Sequence, residues 1–166
     1  MKKTAPVKKT TYRKKTRELL MRLIFQMSAT GDYSERAKDE FMADTSLYLG
    51  DTPADAPPGC LFDEKNVEER PDMSYFNWAL SCFTEHVGVI DDIIGEASEK
   101  WSVRRMSTVD LSILRLAVAE ICYMDDISDS ISVNEAVVMA KKYGTEKSAA
   151  FINGVLGQII RSKEIP

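Results

Sequence analysis

Residues 111–124, LSILRLAVAEICYM, are the part of this 166-residue chain that most constrains its fold. The segment is apolar on almost every side of a helix, and only Arg115 and Glu120 interrupt it. A helix that is apolar all round must be buried, because it has no polar face to turn toward water. We therefore expect this segment to form the central helix of a domain, with other helices packed around it.

The other periodic segments have the spacing of amphipathic helices. Their apolar residues recur every three or four positions in the ranges of about 11–30, 34–49, 72–101 and 146–161. Gly31 is placed to end the first of them, and Gly88 inside the third predicts two helices that share a face. No segment alternates in the manner of a strand, so we predict an all-α fold with mostly short connections.

A capping box predicts the start of one further helix. Ser132 and Glu135 have the required spacing, and Asn134 between them can hydrogen-bond locally at a helix start. Gly144 is placed to end this helix in the left-handed conformation.

The length fits a single domain, for which we take residues 11–166. Residues 1–10 are interpreted as a flexible basic arm. Residues 50–71 are acidic, contain four of the six prolines, and are interpreted as a loop insert that is dispensable for folding.

Charge is distributed unevenly along the chain. Residues 1–22 hold nine basic residues and one acid, Glu18, which gives a charge of +8. The remainder holds 13 basic and 25 acidic residues, which gives −12. A basic segment on an acidic body is typical of a protein that binds a polyanion, although a solvated tail explains the charge alone equally well.

Groups with catalytic spacing are not evident in the sequence. The chain has one histidine, His86, and its three cysteines are far apart without a CxxC pair. Asp91 and Asp92 are adjacent, so on a helix they point about 100° apart and cannot share a proton. No apolar run approaches the length of a membrane span. We expect a cytoplasmic binding protein that is not an enzyme and has no metal or cofactor.

Three segments carry a resemblance to a known family. They are RELLMRLIFQ at 17–26, WSVRRMSTVDLSILRLAVAEI at 101–121, and ISVNEAVVMAKKYGTEKSAAFINGVL at 131–156. Together they resemble the NusB family of bacterial transcription antitermination factors, over about 10–30 and 73–160. The resemblance implies a bundle of about seven helices in two helical subdomains.

The resemblance also implies a function. NusB-like proteins pair with a small-subunit ribosomal protein that acts as NusE, bind the boxA element of nascent RNA, chiefly ribosomal RNA, and join RNA polymerase with other Nus factors. An alternative is a NusB-like RNA-binding accessory domain for an enzyme that modifies ribosomal RNA. The sequence leaves open whether two copies of the chain form a homodimer.

The family's motifs imply the site residues. The expected RNA-binding residues are Arg13, Lys14, Lys15, Arg17, Arg115 and Phe151. The expected partner-binding acids are Asp110 and Glu120, because ribosomal proteins are basic. Four of these residues have a structural alternative: an internal ion pair for Arg115 with an acid such as Asp110 or Glu120, core packing for Phe151, and a solvated helical face for the two acids.

Overall fold

The computed structural model describes residues 9–50, 71–99 and 101–163, and all regular structure in them is helical. The α-helices are α1 (Lys9–Thr30), α2 (Glu35–Gly50), α3 (Met73–Ala97), α4 (Thr108–Tyr123), α5 (Asp129–Tyr143) and α6 (Ser148–Lys163). A 3-10 turn at Val103–Arg105 connects α3 to α4. Most of the expected arm and almost all of the expected insert lie outside the described residues.

Helix α4 is the centre of the bundle. Every residue from Leu111 to Ile121 is buried, and α4 contacts α1, α3, α5 and α6. At its start, the Ser107 hydroxyl oxygen accepts a hydrogen bond of 3.1 Å from the backbone N–H of Asp110. This N-cap satisfies one of the free donors at the helix start. The prediction of a buried central helix is confirmed.

Helix α3 has a break at His86, whose φ of −125° and ψ of 17° are not helical. The two halves share an apolar face, as the sequence predicts, but the break lies two residues before Gly88. The His86 ring stacks on Tyr123 at 4.0 Å between centroids, and its Nδ1 atom lies 2.9 Å from the Cys82 carbonyl oxygen. Counting the halves separately gives seven helical segments in the described residues, so the predicted all-α fold is confirmed.

Helix α5 begins earlier than its predicted capping box. Its first residue is Asp129, so Ser132 and Asn134 lie inside the helix and Ser132 is buried. The prediction that Gly144 is left-handed is also wrong, because its φ is −91°. A side chain there would meet the Ser148 hydroxyl oxygen at 2.5 Å, so close approach is the reason for this glycine. The left-handed residue is Gly31, with a φ of 71°, just after α1.

Candidate nucleic-acid interface

The only acid of the basic N-terminal segment is turned toward the protein. Glu18 is buried, and its carboxylate accepts hydrogen bonds from Lys142 Nζ at 3.0 and 3.1 Å and from the Tyr143 hydroxyl at 3.0 Å. The cations of Arg22 and Lys142 lie 5.8 and 5.2 Å from the centroid of the Tyr143 ring. The negative charge of Glu18 is thus neutralised. The charged side chains of α1 that reach solvent in the described part of the chain, Arg13, Lys14, Lys15 and Arg22, are all positive.

Arg13 is held at the junction of α1 and α3. Its Nε atom lies 3.4 Å from Asp72 Oδ2, and its guanidinium lies 5.5 Å from the centroid of the Tyr75 ring. Asp72 is also the N-cap of α3, where its Oδ1 atom accepts a hydrogen bond of 3.0 Å from the Tyr75 backbone N–H. The Asp72 backbone N–H donates to Thr16 Oγ1 at 2.9 Å, which fixes the start of α3 against α1. Arg13 remains half-exposed, so these contacts orient its guanidinium while part of the side chain stays accessible to solvent.

Glu120 is the centre of a buried network of polar side chains. It is 1% exposed, and Oε1 accepts a 2.7 Å hydrogen bond from Arg17 Nε and another from the Tyr75 hydroxyl. Its Oε2 atom accepts a hydrogen bond of 2.6 Å from the Ser132 hydroxyl. Since these residues lie on α1, α3, α4 and α5, one carboxylate connects four helices. A buried charge is tolerated when it is paired and hydrogen-bonded, as it is here.

The network changes the acid–base properties of its members. Burial, together with the neighbouring Glu120 carboxylate, raises the pKa of Tyr75 well above its ordinary value of 10.0. Burial alone would lower the pKa of Arg17, but the charge of Glu120 and their hydrogen bond raise it. Both groups therefore keep their protons throughout the physiological range.

Arg115 forms a second buried ion pair. It is 6% exposed, and its Nε and Nη2 atoms donate to the two Asp91 carboxylate oxygens at 2.8 and 2.7 Å. Its Nη1 atom donates to the Ser28 hydroxyl at 2.7 Å. The sequence predicted Asp110 or Glu120 as the internal partner of Arg115, and this choice was wrong. The same contact makes Asp91 the counter-charge of a buried guanidinium.

The remaining expected site residues differ in exposure. Lys14 is exposed, and Lys15, Asp110 and Phe151 are half-buried. Within the described residues, the buried Oδ1 atom of Asp110 has no hydrogen-bond partner. Phe151 packs against the core on one side and lines a surface cleft on the other.

A cleft of about 380 Å³ lies where α1 meets the start of α5. Arg13 and Arg17 line it from α1, and the half-exposed Ile131 and the exposed Asn134 line it from α5. The structure thus brings the α1 arginines together, whereas Arg115 and Phe151 line two other clefts.

Sequence reasoning missed the residues that orient this surface. Tyr75 and Asp72 carry no motif, and their contacts with α1 join positions more than 50 residues apart in the chain. Lys142 lies in the last turn of α5, far from α1 in the sequence. Its pairing with Glu18 depends on the packing of α5 beside α1, which one-dimensional spacing does not predict.

Two other classes of site are absent from the described ranges. No group of three or more His, Cys, Asp or Glu side chains could hold a metal ion there. None of the helices in those ranges is both long and apolar enough to cross a membrane.

Comparison with known proteins extends these observations. The model of the NusB family matches residues 14–161. A transcription antitermination protein NusB from Finegoldia magna is 35% identical over 152 residues, which cover 92% of this chain and 96% of that protein.

Solved structures agree with the fold. The T. maritima NusB structure is similar with a TM-score of 0.67 and 29% identity, covering 90% of each chain. A chain in the crystal structure of antitermination factors NusB and NusE with dsRNA has a TM-score of 0.69 and 24% identity. That match covers 92% of this chain and 98% of that one, and at this identity it is evidence for the fold. With the family model matching nearly all of the described residues and a relative aligned along almost its whole length, this chain belongs to the NusB family.

Proposed function

We propose that this protein acts in transcription antitermination by binding boxA-type RNA together with a small-subunit ribosomal protein that acts as NusE. The relatives carry the name transcription antitermination protein, and one structurally similar chain comes from a complex of NusB, NusE and dsRNA. In this proposal the RNA complex then joins RNA polymerase with other Nus factors in the cytoplasm, chiefly during transcription of ribosomal RNA.

The observation that carries the RNA-binding part is the burial of Glu18. Because Lys142 and Tyr143 occupy this carboxylate, Glu18 does not offset the positive charge that α1 carries at Arg13, Lys14 and Lys15. The body of the protein is acidic, so RNA is attracted to this surface rather than to the molecule as a whole.

The proposed RNA contacts differ in kind. Lys14 and Lys15 supply point charges for phosphates, while the half-exposed Arg13 can also make a forked contact. Arg17 and Arg115 are almost fully buried, and each guanidinium is already occupied by a carboxylate. We propose that both hold the helices in place beneath the RNA surface, and that a direct RNA contact would require these ion pairs to open.

The proposed partner contact centres on Asp110. It lies in the first turn of α4, and its Oδ1 atom lacks a donor among the described residues. That oxygen is buried, so a lysine or arginine of a basic ribosomal protein would pair with the part of the half-buried carboxylate that reaches solvent. Glu120 accepts hydrogen bonds from three other side chains and is buried, so we assign it a positioning role beneath the surface.

The alternative is an accessory domain for an enzyme that modifies ribosomal RNA. We propose that the chain is not itself an enzyme, since the lone His86 is stacked on Tyr123 and its Nδ1 atom lies 2.9 Å from the backbone carbonyl of Cys82. A methyl-transfer assay with a ribosomal RNA methyltransferase, run with and without this protein, separates the two: stimulation of methyl incorporation by the protein would favour the alternative.

The proposal is tested by titrating single-stranded boxA RNA and a scrambled RNA of the same composition, each with and without saturating ribosomal partner. The partner contributes positive charge beside an acidic body, so we expect it to tighten boxA binding clearly. Linkage then requires boxA RNA to tighten partner binding by the same factor. Equal affinity for both RNAs in the presence of the partner would contradict the proposal.

A further inference from the structure

Arg13 is the most accessible of the three arginines that were expected to contact RNA. Its side chain is 29% exposed, against 4% for Arg17 and 7% for Arg115. Its ion pair with Asp72 uses the Nε atom, so the N–H donors of both Nη atoms are not part of that contact. The guanidinium therefore keeps the pair of Nη groups that can form a forked contact with a phosphate.

The ring of Tyr75 is a fixed platform beside Arg13. The residue is 2% exposed, and its hydroxyl donates a hydrogen bond to the buried Glu120 carboxylate. The guanidinium carbons of Arg13 and Arg17 lie 5.5 and 5.2 Å from the centroid of this ring. The two arginines are four positions apart on α1, so they lie on the same face of the helix. Because the ring is buried and its hydroxyl is bonded, it cannot follow a movement of the Arg13 side chain.

Asp72 holds the same guanidinium from the start of α3. Its Oδ2 atom lies 3.4 Å from Arg13 Nε, and its Oδ1 atom accepts a hydrogen bond of 3.0 Å from the Tyr75 backbone N–H. Its own backbone N–H donates to Oγ1 of the fully buried Thr16 at 2.9 Å. Since each carboxylate oxygen has its own partner and the backbone is tied to α1, the carboxylate has little freedom to turn.

These two contacts reduce the freedom of Arg13 before any ligand arrives. An arginine on an exposed helix face loses rotamer freedom when it contacts a phosphate, and that loss weakens binding. Arg13 has given up part of this freedom in the free protein. A lysine at the same position would gain less, because its ammonium is a point charge with no fork to orient.

We propose that Asp72 is a positioning residue for RNA binding: with the Tyr75 ring as the platform, it directs the Nη groups of Arg13 toward one phosphate of the bound strand. The inference rests on the proposed RNA-binding function and adds a role for the start of α3. Asp72 does not itself touch RNA. Lys14 and Lys15 supply general attraction for phosphates, whereas the oriented Arg13 supplies one contact of defined geometry.

A double-mutant cycle measures orientation separately from charge. Asp72→Asn keeps a capping residue at the start of α3 and removes the charge that faces Arg13. Arg13→Lys keeps the positive charge and removes the fork. With saturating ribosomal partner, Arg13→Lys in otherwise wild-type protein should weaken boxA binding about fivefold, since one hydrogen bond typically corresponds to about a two- to tenfold change. In the Asp72→Asn background, the same change should weaken binding by about twofold at most, because an unoriented guanidinium has little advantage over an ammonium.

The cycle is needed because Asp72→Asn alone has two opposing effects. It removes the orientation of Arg13, but it also removes a negative charge beside the RNA surface and so strengthens the general attraction. Asp39→Asn, at an exposed position on α2, is the matched control background. Arg13→Lys should still weaken binding about fivefold there. Asp72→Ser also keeps a cap without a charge, so it should reproduce the result of Asp72→Asn if the latter folds poorly.

The second measurement locates the contact on the RNA. Replacing one phosphate at a time by an uncharged methylphosphonate should identify a position that weakens binding by wild-type protein but not by Arg13→Ala. The same position should lose its effect in Asp72→Asn, while the other sensitive phosphates keep theirs. A purely structural role of Asp72 would instead change the effect of all phosphates alike.

The outcomes distinguish two failures. If wild-type protein does not bind boxA RNA, the proposed function fails and this inference fails with it. If wild type binds and Arg13→Lys weakens binding equally in the wild-type and Asp72→Asn backgrounds, RNA binding stands and the positioning role of Asp72 is overturned. Unchanged affinity of Arg13→Lys in the wild-type background would overturn it as well, because the fork of Arg13 would then have no role.

Discussion

The Nε atom of Arg17 donates a hydrogen bond of 2.7 Å to Glu120 Oε1, and the two residues are 103 positions apart in the chain. Arg17 ends the run of basic residues at the start of α1, but its charge points into the protein. The same sequence run therefore contains two kinds of residue: Arg13, Lys14 and Lys15 reach solvent, whereas Arg17 fixes the helix that carries them.

Removal of Glu120 should destabilise the protein severely. Glu120→Ala leaves the guanidinium of Arg17 buried without a counter-charge, a change that typically costs about 3–5 kcal/mol. Glu120→Gln retains an acceptor and should cost less. Urea denaturation measures both, with Glu85→Ala on the exposed face of α3 as a control. A loss of stability in Glu120→Ala no larger than in the control would show that the network is not structural.

Stability at alkaline pH should depend on Tyr75. The pKa of Tyr75 is raised in the folded protein above its ordinary value of 10.0. Its contribution to the free energy of unfolding is therefore fully present below pH 10 and is lost as the pH rises toward the folded-state pKa. Between pH 10 and the folded-state pKa, the Tyr75 hydroxyl has released its proton only in the unfolded chain. The free energy of unfolding therefore falls by about 1.4 kcal/mol per pH unit in this range. Tyr75→Phe should remove this component when unfolding is followed from about pH 9 to 11. If the free energy of unfolding depends on pH in the same way in the wild type and in Tyr75→Phe, the raised pKa of Tyr75 is contradicted.

Arg115 should be important for stability and not for RNA affinity. Arg115→Lys keeps the charge but cannot form the forked contact with Asp91, so we expect a loss of about 1–3 kcal/mol in the free energy of unfolding. Arg104→Lys, at an exposed position, is the control. A fall in boxA affinity with stability unchanged would instead place Arg115 in direct contact with RNA.

Asp110 should affect partner binding. Asp110→Lys places a like charge opposite a basic ribosomal protein, so partner affinity should fall while RNA binding by the free chain does not. The loss of a favourable acid at a helix start should change stability by only about 0.3–1 kcal/mol. Asp39→Lys, at an exposed position on α2, makes the same charge change away from Asp110. Normal partner binding by Asp110→Lys would mean that Asp110 is only a helix-start residue.

The central helix and the number of helical segments were predictable because they depend on local patterns. The apolar run at 111–124 has no solvent-compatible face, and the apolar residues of α3 recur at helical spacing. The boundary of α5 was misplaced because Ser132 has the spacing of a cap, yet its hydroxyl donates to Glu120 on a neighbouring helix. Tertiary packing decided between two uses of the same side chain.

The candidate site was predictable only as a region. Charge counts locate positive residues near the N-terminus, but they do not show which of those residues face inward. The burial of Glu18 and Arg17 and the pairing of Arg115 with Asp91 all depend on contacts between distant segments.

The most direct test of the account is the salt dependence of boxA affinity in two matched double variants. Lys14→Ala with Lys15→Ala removes two positive charges from α1, and Arg36→Ala with Lys38→Ala removes two from α2. The account predicts that the α1 variant binds more weakly. Its log–log salt slope should also be shallower by about 1.4, or about 0.7 for each phosphate contact to a single strand. The α2 variant should keep the wild-type slope, and equal slopes for the two variants would contradict the assignment of the RNA surface to α1.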